Sequence, residues 1–215
     1  MLPIGRPRRF LEIGTGSGVM AGHFGSDPLF EVVSVDVVDE RVVEDGYEFR
    51  LVDGVILPFD NASFDVVVSN HVIEHVGEPD NQLTHLREIE RVMSQSGVGY
   101  LAVPNRWALI EPHFRLPFLS WVPESWRSGY VRAFRKGDHY DCRPVGYREL
   151  NRMLGEAGLG FEHLEVEAVR LIGESERAGF LSTTARRIPN SLLAPLQPVS
   201  PTLVCKLFPT AGPAR

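Results

Sequence analysis

Three glycines within five residues, Gly14-Thr15-Gly16-Ser17-Gly18, follow an apolar run at positions 10–13 and precede a helical pattern. Residues without a Cβ let the backbone turn tightly and approach a ligand, and the free amides at a helix start favour an anionic group. The chemistry this spacing suggests is capture of a nucleotide-like cofactor. A dinucleotide fingerprint requires Gly-x-Gly-x-x-Gly, which counted from Gly14 places glycine at position 19, where Val19 stands. The third glycine comes one residue early.

Two further acids follow at the ends of β-compatible runs. Asp36 closes VVSVD, where a carboxylate can accept both hydroxyls of a ribose cis-diol. Asp53 opens the block VDGVILPFDNASFDVVVSNHVIEHV at positions 52–76, which a nicotinamide-dependent oxidoreductase does not predict.

With Glu12 ahead of the glycine turn, Asp36 after it and the 52–76 block in order, the chain resembles class I S-adenosylmethionine-dependent methyltransferases, in particular the methyltransferase type 11 domain. The resemblance runs over positions 9–158 and more loosely to 208. It implies an enzyme that takes S-adenosylmethionine as cofactor. By the same resemblance Asp53 accepts the adenine amino group, the Gly54 amide donates to the ring and Asn70 holds the methionine moiety. Glu12, Gly14, Thr15, Gly16, Gly18, Asp36 and Val37 complete the expected cofactor-binding set.

The chain departs from the family pattern in three places. Nine residues precede the first strand, where family members carry a helical segment that helps close over substrate, so either the sequence starts short or a cap at positions 106–144 is expected to do that work. The helix after Asp36 has room for hardly two turns in DERVVEDG, and Ser94-Gln95-Ser96-Gly97 replaces the usual Lys-Pro-Gly-Gly turn.

For the reaction itself, a base is needed only if the acceptor is a hydroxyl or a protonated amine. His71 and His113 are the catalytic candidates, with Glu111 in Glu111-Pro112-His113 as an orienter and Tyr140 and Asp141 next. His71-Val72-Ile73-Glu74-His75 also matches the H-x-x-E-H zinc arrangement. That site needs a helix of several turns and a third ligand, whereas Gly77 and Pro79 stop a helix here, so no metal is expected. No Gly-x-Ser-x-Gly elbow and no Walker lysine occur.

The elements that must position these residues follow from periodicity. Strands are expected at 10–13, 31–36, 47–52, 64–69 and 99–103. Leu83, Leu86, Ile89, Val92 and Met93 recur at helical spacing from Pro79 to Met93, with residues 94–97 as a stop. A second helix is expected at 145–157, with strands at 161–169 and 201–208. Between those strands, positions 174–199 read as a short helix and a Pro-rich loop. The fold class is α/β: a Rossmann-like, mostly parallel seven-stranded sheet flanked by helices, in a single domain.

Positions 106–144 differ from both flanks. They hold all three tryptophans, Trp107, Trp121 and Trp126, together with Phe114, Phe118, Tyr130, Phe134 and Tyr140. This segment is expected to be an inserted aromatic cap after the fifth strand, with most of its rings forming the cap's own core. If some of it is exposed, residues 116–122 would give peripheral membrane contact, fitting a lipid-like acceptor.

Composition sets the remaining bounds. A net charge of −6 argues against a surface that tracks phosphates, so nucleic acid is not expected as a partner. Cys142 and Cys205 match no metal-ligand spacing and no disulfide framework, and the basic start leads into no apolar signal segment; a cytoplasmic location is expected. The leading reading is a methyltransferase acting on a small-molecule or lipid-linked acceptor. Its rival is a non-catalytic methyltransferase-fold binding module or partner subunit.

Overall fold

The computed structural model describes residues 6–174 and 189–210. Strands β1 (Arg8–Ile13), β2 (Phe30–Asp36), β3 (Glu48–Leu51), β4 (Phe64–Asn70) and β5 (Met93–Pro104) pair in parallel, and β6 (Leu159–His163) and β7 (Thr202–Pro209) complete a seven-stranded sheet. The order is β3-β2-β1-β4-β5-β7-β6, with β7 antiparallel to both neighbours. Successive residues of β1 and β2 are buried rather than alternate ones, because helices cover both faces of the parallel part.

Helix α1 (Val19–Gly25) follows β1, and α2 (Pro79–Val92) joins β4 to β5. Pro79 sits in the first turn of α2, where its missing amide has no partner to lose, and Leu86, Ile89 and Val92 point into the main core. Helices α3 (Glu124–Ala133), α4 (Tyr147–Glu156) and α5 (Glu165–Glu174) follow β5. Leu150, Met153 and Leu154 of α4 join the same core, beside Leu11, Val33, Phe64 and Leu101 from the sheet.

Three local expectations are corrected. β5 starts at Met93, directly after α2, instead of after a turn at 94–97: Phe64 faces Met93 and Val66 faces Val98, so the intervening residues form an irregularity within the strand. No helix follows Asp36; the Ser17 carbonyl accepts the amides of Val42 and Val43 and holds this stretch as a loop. The strand expected at 161–169 stops at His163, and α5 begins at Glu165. Leu164, Val166 and Ala168 alternate as in a strand, yet the intervening Glu165 is buried, accepting the Val204 amide at 3.1 Å. Burial of a carboxylate with a specific partner overrode the alternation.

Of the segment expected as a short helix and loop, residues 175–188 lie outside the described residues, and the rest forms short helical turns at Asn190–Leu193 and Ala194–Val199.

The chain between β5 and α4 contains a 3₁₀ turn (Leu119–Trp121) and α3, and packs a small cluster of its own from Leu116, Leu119, Val131, Tyr140 and Cys142. The expectation that its aromatic rings would form this core fails for the tryptophans. Trp107, Trp121 and Trp126 are 50%, 46% and 70% exposed, since the core there is filled by leucine, valine and tyrosine. Arg127 is buried and donates to the carbonyls of Val122 and Ser120.

Candidate functional site

The strand order reverses between β1 and β4, and in an open α/β sheet the crevice at the carboxyl ends of such strands is where ligands bind. A cleft of about 720 Å³ lies there. Its walls come from the chain after β1 (Gly14, Gly16), the end of β2 (Val35, Asp36, Val37), the stretch after β3 (Val52, Gly54, Val55, Leu57) and the chain after β4 (Asn70, His71, Val72, His75).

Each glycine of the turn has a different reason to lack a side chain. A Cβ at Gly14 would strike the Val72 side chain, and one at Gly18 would strike the Val43 carbonyl and the Tyr47 hydroxyl. At Gly16 a Cβ would meet nothing, although φ is +48°. Gly14 and Gly18 therefore serve packing, while Gly16 faces open space in the cleft. Asp36 accepts the amide of Gly16 at 2.9 Å and that of Val37 at 2.7 Å, which fixes its carboxylate at the mouth of this turn.

Glu12 and Thr15 stand behind the turn rather than in the cleft. The Ser34 hydroxyl donates to Glu12 Oε2 at 3.0 Å and lies 2.6 Å from the Thr15 hydroxyl, so the three form a buried chain that ties the turn to β2. Burial pushes the Glu12 carboxyl up to about 7. Gly18 also lies outside the cleft lining, and Asp53 is exposed between Val52 and Gly54 without lining it.

Beyond β4 the backbone turns sharply. His71 takes φ +58° and its amide donates to the Ala102 carbonyl at 2.9 Å, placing the ring on the cleft wall. A positive φ at a non-glycine residue is uncommon and is held only by its surroundings. The 3₁₀ turn Ile73–His75 then buries Glu74 completely. Both Glu74 oxygens lack a well-aligned hydrogen bond; Oε1 stands 3.4 Å from His71 Nδ1, 3.4 Å from His113 Nε2 and 4.0 Å from His75 Nε2. Burial alone would push this carboxyl up, but the imidazoles of His113 and His71 outweigh it and hold it at about 2.

His113 reaches this cluster from the chain between β5 and α4. Glu111 Oε1 lies 2.8 Å from its Nδ1, and Glu111 with Glu74 drives the ring up to about 10, so it is a cation at neutral pH. A ring already protonated between two carboxylates is not poised to accept a proton, and His113 does not line the cleft. Tyr140 is buried in the small cluster with Leu116, Leu119 and Val131, not in the cleft.

The cleft-lining residues that sequence reasoning passed over include Leu57, Asn81 and His85. Glu88 and Arg91 of α2 shape the 57–59 stretch: Glu88 accepts the Leu57 amide at 2.8 Å, and Arg91 donates to the Leu57 and Phe59 carbonyls. His85 is buried against the Ser69 hydroxyl at 3.0 Å, and burial lowers its ring to about 4. Asn81 and His85 are four residues apart on α2, a spacing that marks one helix face.

Residues 11–101 match the model of the methyltransferase domain family. A ubiquinone biosynthesis O-methyltransferase from Parvibaculum lavamentivorans is 23% identical over 175 residues, covering 73% of this chain and 60% of that protein. The chain thus spans 60% of the length of the curated relative it matches. An S-adenosylmethionine dependent methyltransferase from Mesorhizobium loti superposes with a TM-score of 0.61 at 14% identity, covering 96% of this chain and 93% of that one. A methyltransferase solved with the Trm112 methyltransferase activator of Haloferax volcanii superposes with a TM-score of 0.57 at 17% identity, covering 96% and 84%. Over residues 11–101 the chain is thus similar to the methyltransferase domain family, and it has the fold of S-adenosylmethionine-dependent methyltransferases. S-adenosylmethionine is the cofactor that goes with this family, and no helix among the described residues is long and apolar enough to cross a membrane.

Proposed function

We propose that this chain transfers the methyl group of S-adenosylmethionine to a hydroxyl of a small or lipid-linked molecule. The observation that carries the reading is the pairing of His71, on the cleft wall, with the wholly buried carboxylate of Glu74. In support of the cofactor's place, the open space at Gly16, the Asp36 carboxylate and the Gly54 backbone share one cleft of suitable size. Bound there, S-adenosylmethionine supplies an electrophilic methyl group.

The residues of the chain do the rest. Asp36 accepts the ribose hydroxyls, Val37 and Leu57 flank the adenine, and Asn70 holds the amino-acid end. Ionised Glu74, facing His71 Nδ1, keeps the ring proton on that nitrogen by accepting its hydrogen bond, which leaves Nε2 as the basic nitrogen. That nitrogen takes the acceptor's hydroxyl proton as its oxygen attacks, and the enclosed walls align donor and acceptor. The name of the Parvibaculum relative supports an oxygen acceptor with lipid character. Exposed rings of Trp107, Trp121 and Phe118 make a connected surface for peripheral contact with the membrane that carries such a molecule.

Calorimetric titration with S-adenosylmethionine, followed by tritiated methyl transfer to catechol-bearing quinol precursors, tests the reading. Donor binding with label in a methyl ether supports it. Label on carbon or nitrogen, or binding without any transfer to a lysate, overturns the hydroxyl assignment in favour of other acceptors or of a non-catalytic module.

A further inference from the structure

Cys142, His75 and His113 meet where the insertion returns to the sheet, and the proposed transfer gives none of them a role. One ligand atom from each lies within 4.8 Å of the others. The Cys142 sulfur is 4.0 Å from His75 Nδ1, and both histidines are open enough for an ion to enter. We infer that these three residues bind a zinc-like divalent ion that staples the insertion to the turn after β4.

Two features point to a cation rather than to packing. The Glu74 carboxylate is completely buried, neither oxygen has a well-aligned donor, and Oε1 faces the Nε2 atoms of both histidines at 3.4 and 4.0 Å. It supplies negative charge beside the site while lying outside the three-residue ligand set. Second, Glu111 is 99% buried behind His113, with Oε1 2.8 Å from Nδ1 and Oε2 accepting the Phe114 amide at 2.7 Å. A carboxylate behind the far nitrogen is the usual device that aims the other nitrogen at a metal.

The donor set selects the ion. Thiolate with imidazole suits zinc, whose tetrahedral sites place neighbouring ligand atoms about 3.5 Å apart, so closure requires inward shifts of roughly 1 Å or less. Binding at neutral pH displaces two protons to solvent, one from the Cys142 thiol and one from the His113 imidazolium, leaving sulfur and two neutral imidazoles around the ion with the fourth position open to water. His71, Glu74 and His113 also lie within reach of one another, but that set lacks the sulfur and takes its third ligand from the cleft wall. The ion proposed is structural: it joins position 75 to both ends of the insertion.

The test uses the full-length protein stripped of metal by chelator, titrated with Co²⁺ and then with Zn²⁺ against a chromophoric chelator. Expected are a thiolate-to-cobalt charge-transfer band, tetrahedral cobalt absorption and equimolar zinc uptake. Cys142→Ser removes the charge-transfer band, and His75→Ala, at an exposed ring, lowers zinc affinity about tenfold or more. His71→Ala leaves the band in place. No charge-transfer band in the native protein, or native zinc affinity in both Cys142→Ser and His75→Ala, overturns the site; tetrahedral cobalt absorption without that band, lost in His71→Ala, assigns the ion to the other set. S-adenosylmethionine titration of the same stripped samples reads the donor site separately, so failure of one assignment is distinguishable from failure of the other.

Discussion

His71 Nδ1 and Glu74 Oε1 stand 3.4 Å apart, one ring on the wall of the cleft and one carboxylate wholly enclosed beneath it. In the proposed reaction, closing this gap to hydrogen-bond distance would fix the tautomer of the imidazole and stabilise its charge once it takes a proton, as a buried acid does for the base of a hydrolytic triad. His71→Asn is expected to lower kcat about 10²- to 10⁴-fold while leaving the donor dissociation constant within a factor of about three. Single-turnover methyl transfer alongside calorimetry checks this. Unchanged kcat in the variant removes His71 from the chemistry.

The glycine turn yields a contrast between neighbours. Gly14→Ala forces a methyl group into Val72 and costs stability, whereas Gly16→Ala adds one into open space. Gly16→Ala still carries about 1 kcal/mol of strain from its positive φ, but its larger effect is expected on donor binding. Urea denaturation and S-adenosylhomocysteine titration should therefore rank the two variants in opposite orders. Equal loss of binding in both would mean that Gly16 has no special place at the ligand.

Asp36→Ala removes two amide acceptors from the turn as well as the proposed ribose contact. Hydrogen bonds to a charged group contribute about 1.5–3 kcal/mol, so donor affinity should fall roughly 10- to 150-fold. The thermal midpoint without ligand should move only a few degrees. Retained affinity would place the ribose elsewhere.

What could be read in the sequence was local. The strand, turn and acid at 10–36 are set by spacing, and α2 by a regular apolar stripe that begins at a proline. Legible too were the residues beside the cleft, because they follow strand ends; Asp36, Gly54, Asn70 and His71 all line it. Burial of charge was not legible. Glu12, Glu74, Glu111 and Glu165 are enclosed, and each takes its meaning from a partner: Ser34, His71, His113 and His163. Only for Glu111 and Glu165 is that partner two residues away. The approach of His113 and Cys142 to His75 depends on the path of the whole stretch between β5 and α4, for which no periodicity exists.

The exposed rings predict a membrane interaction. Trp107, Trp121 and Phe118 touch in series, with centroids 5.9 and 5.1 Å apart, and Arg106 lies over Trp107. Leu116 and Leu119, expected to take part, are buried and do not. Flotation with anionic vesicles at low salt should retain the native protein, and Trp107→Ser with Phe118→Ser should release it, each ring contributing about 1–2 kcal/mol. Native protein that stays at the bottom of the gradient overturns this surface.

Glu12 gives the stability a pH dependence of unusual sign for an acid. Burial pushes its carboxyl from 4.5 up to about 7, so the folded chain holds the proton more tightly than the unfolded chain. The protonated form's stabilising contribution is full below about 4.5 and is lost as pH rises through about 7, because ionisation then charges a buried group. Glu12→Gln keeps a neutral partner for the Ser34 hydroxyl and cannot ionise. Denaturation at pH 5 and pH 8 should show the native chain losing stability relative to Glu12→Gln at the higher pH, with the two close together at the lower. Parallel stability curves for the two proteins across that range would show that Glu12 ionises in the fold as it does in water, and that the chain of Glu12, Ser34 and Thr15 does not exclude solvent from behind the glycine turn.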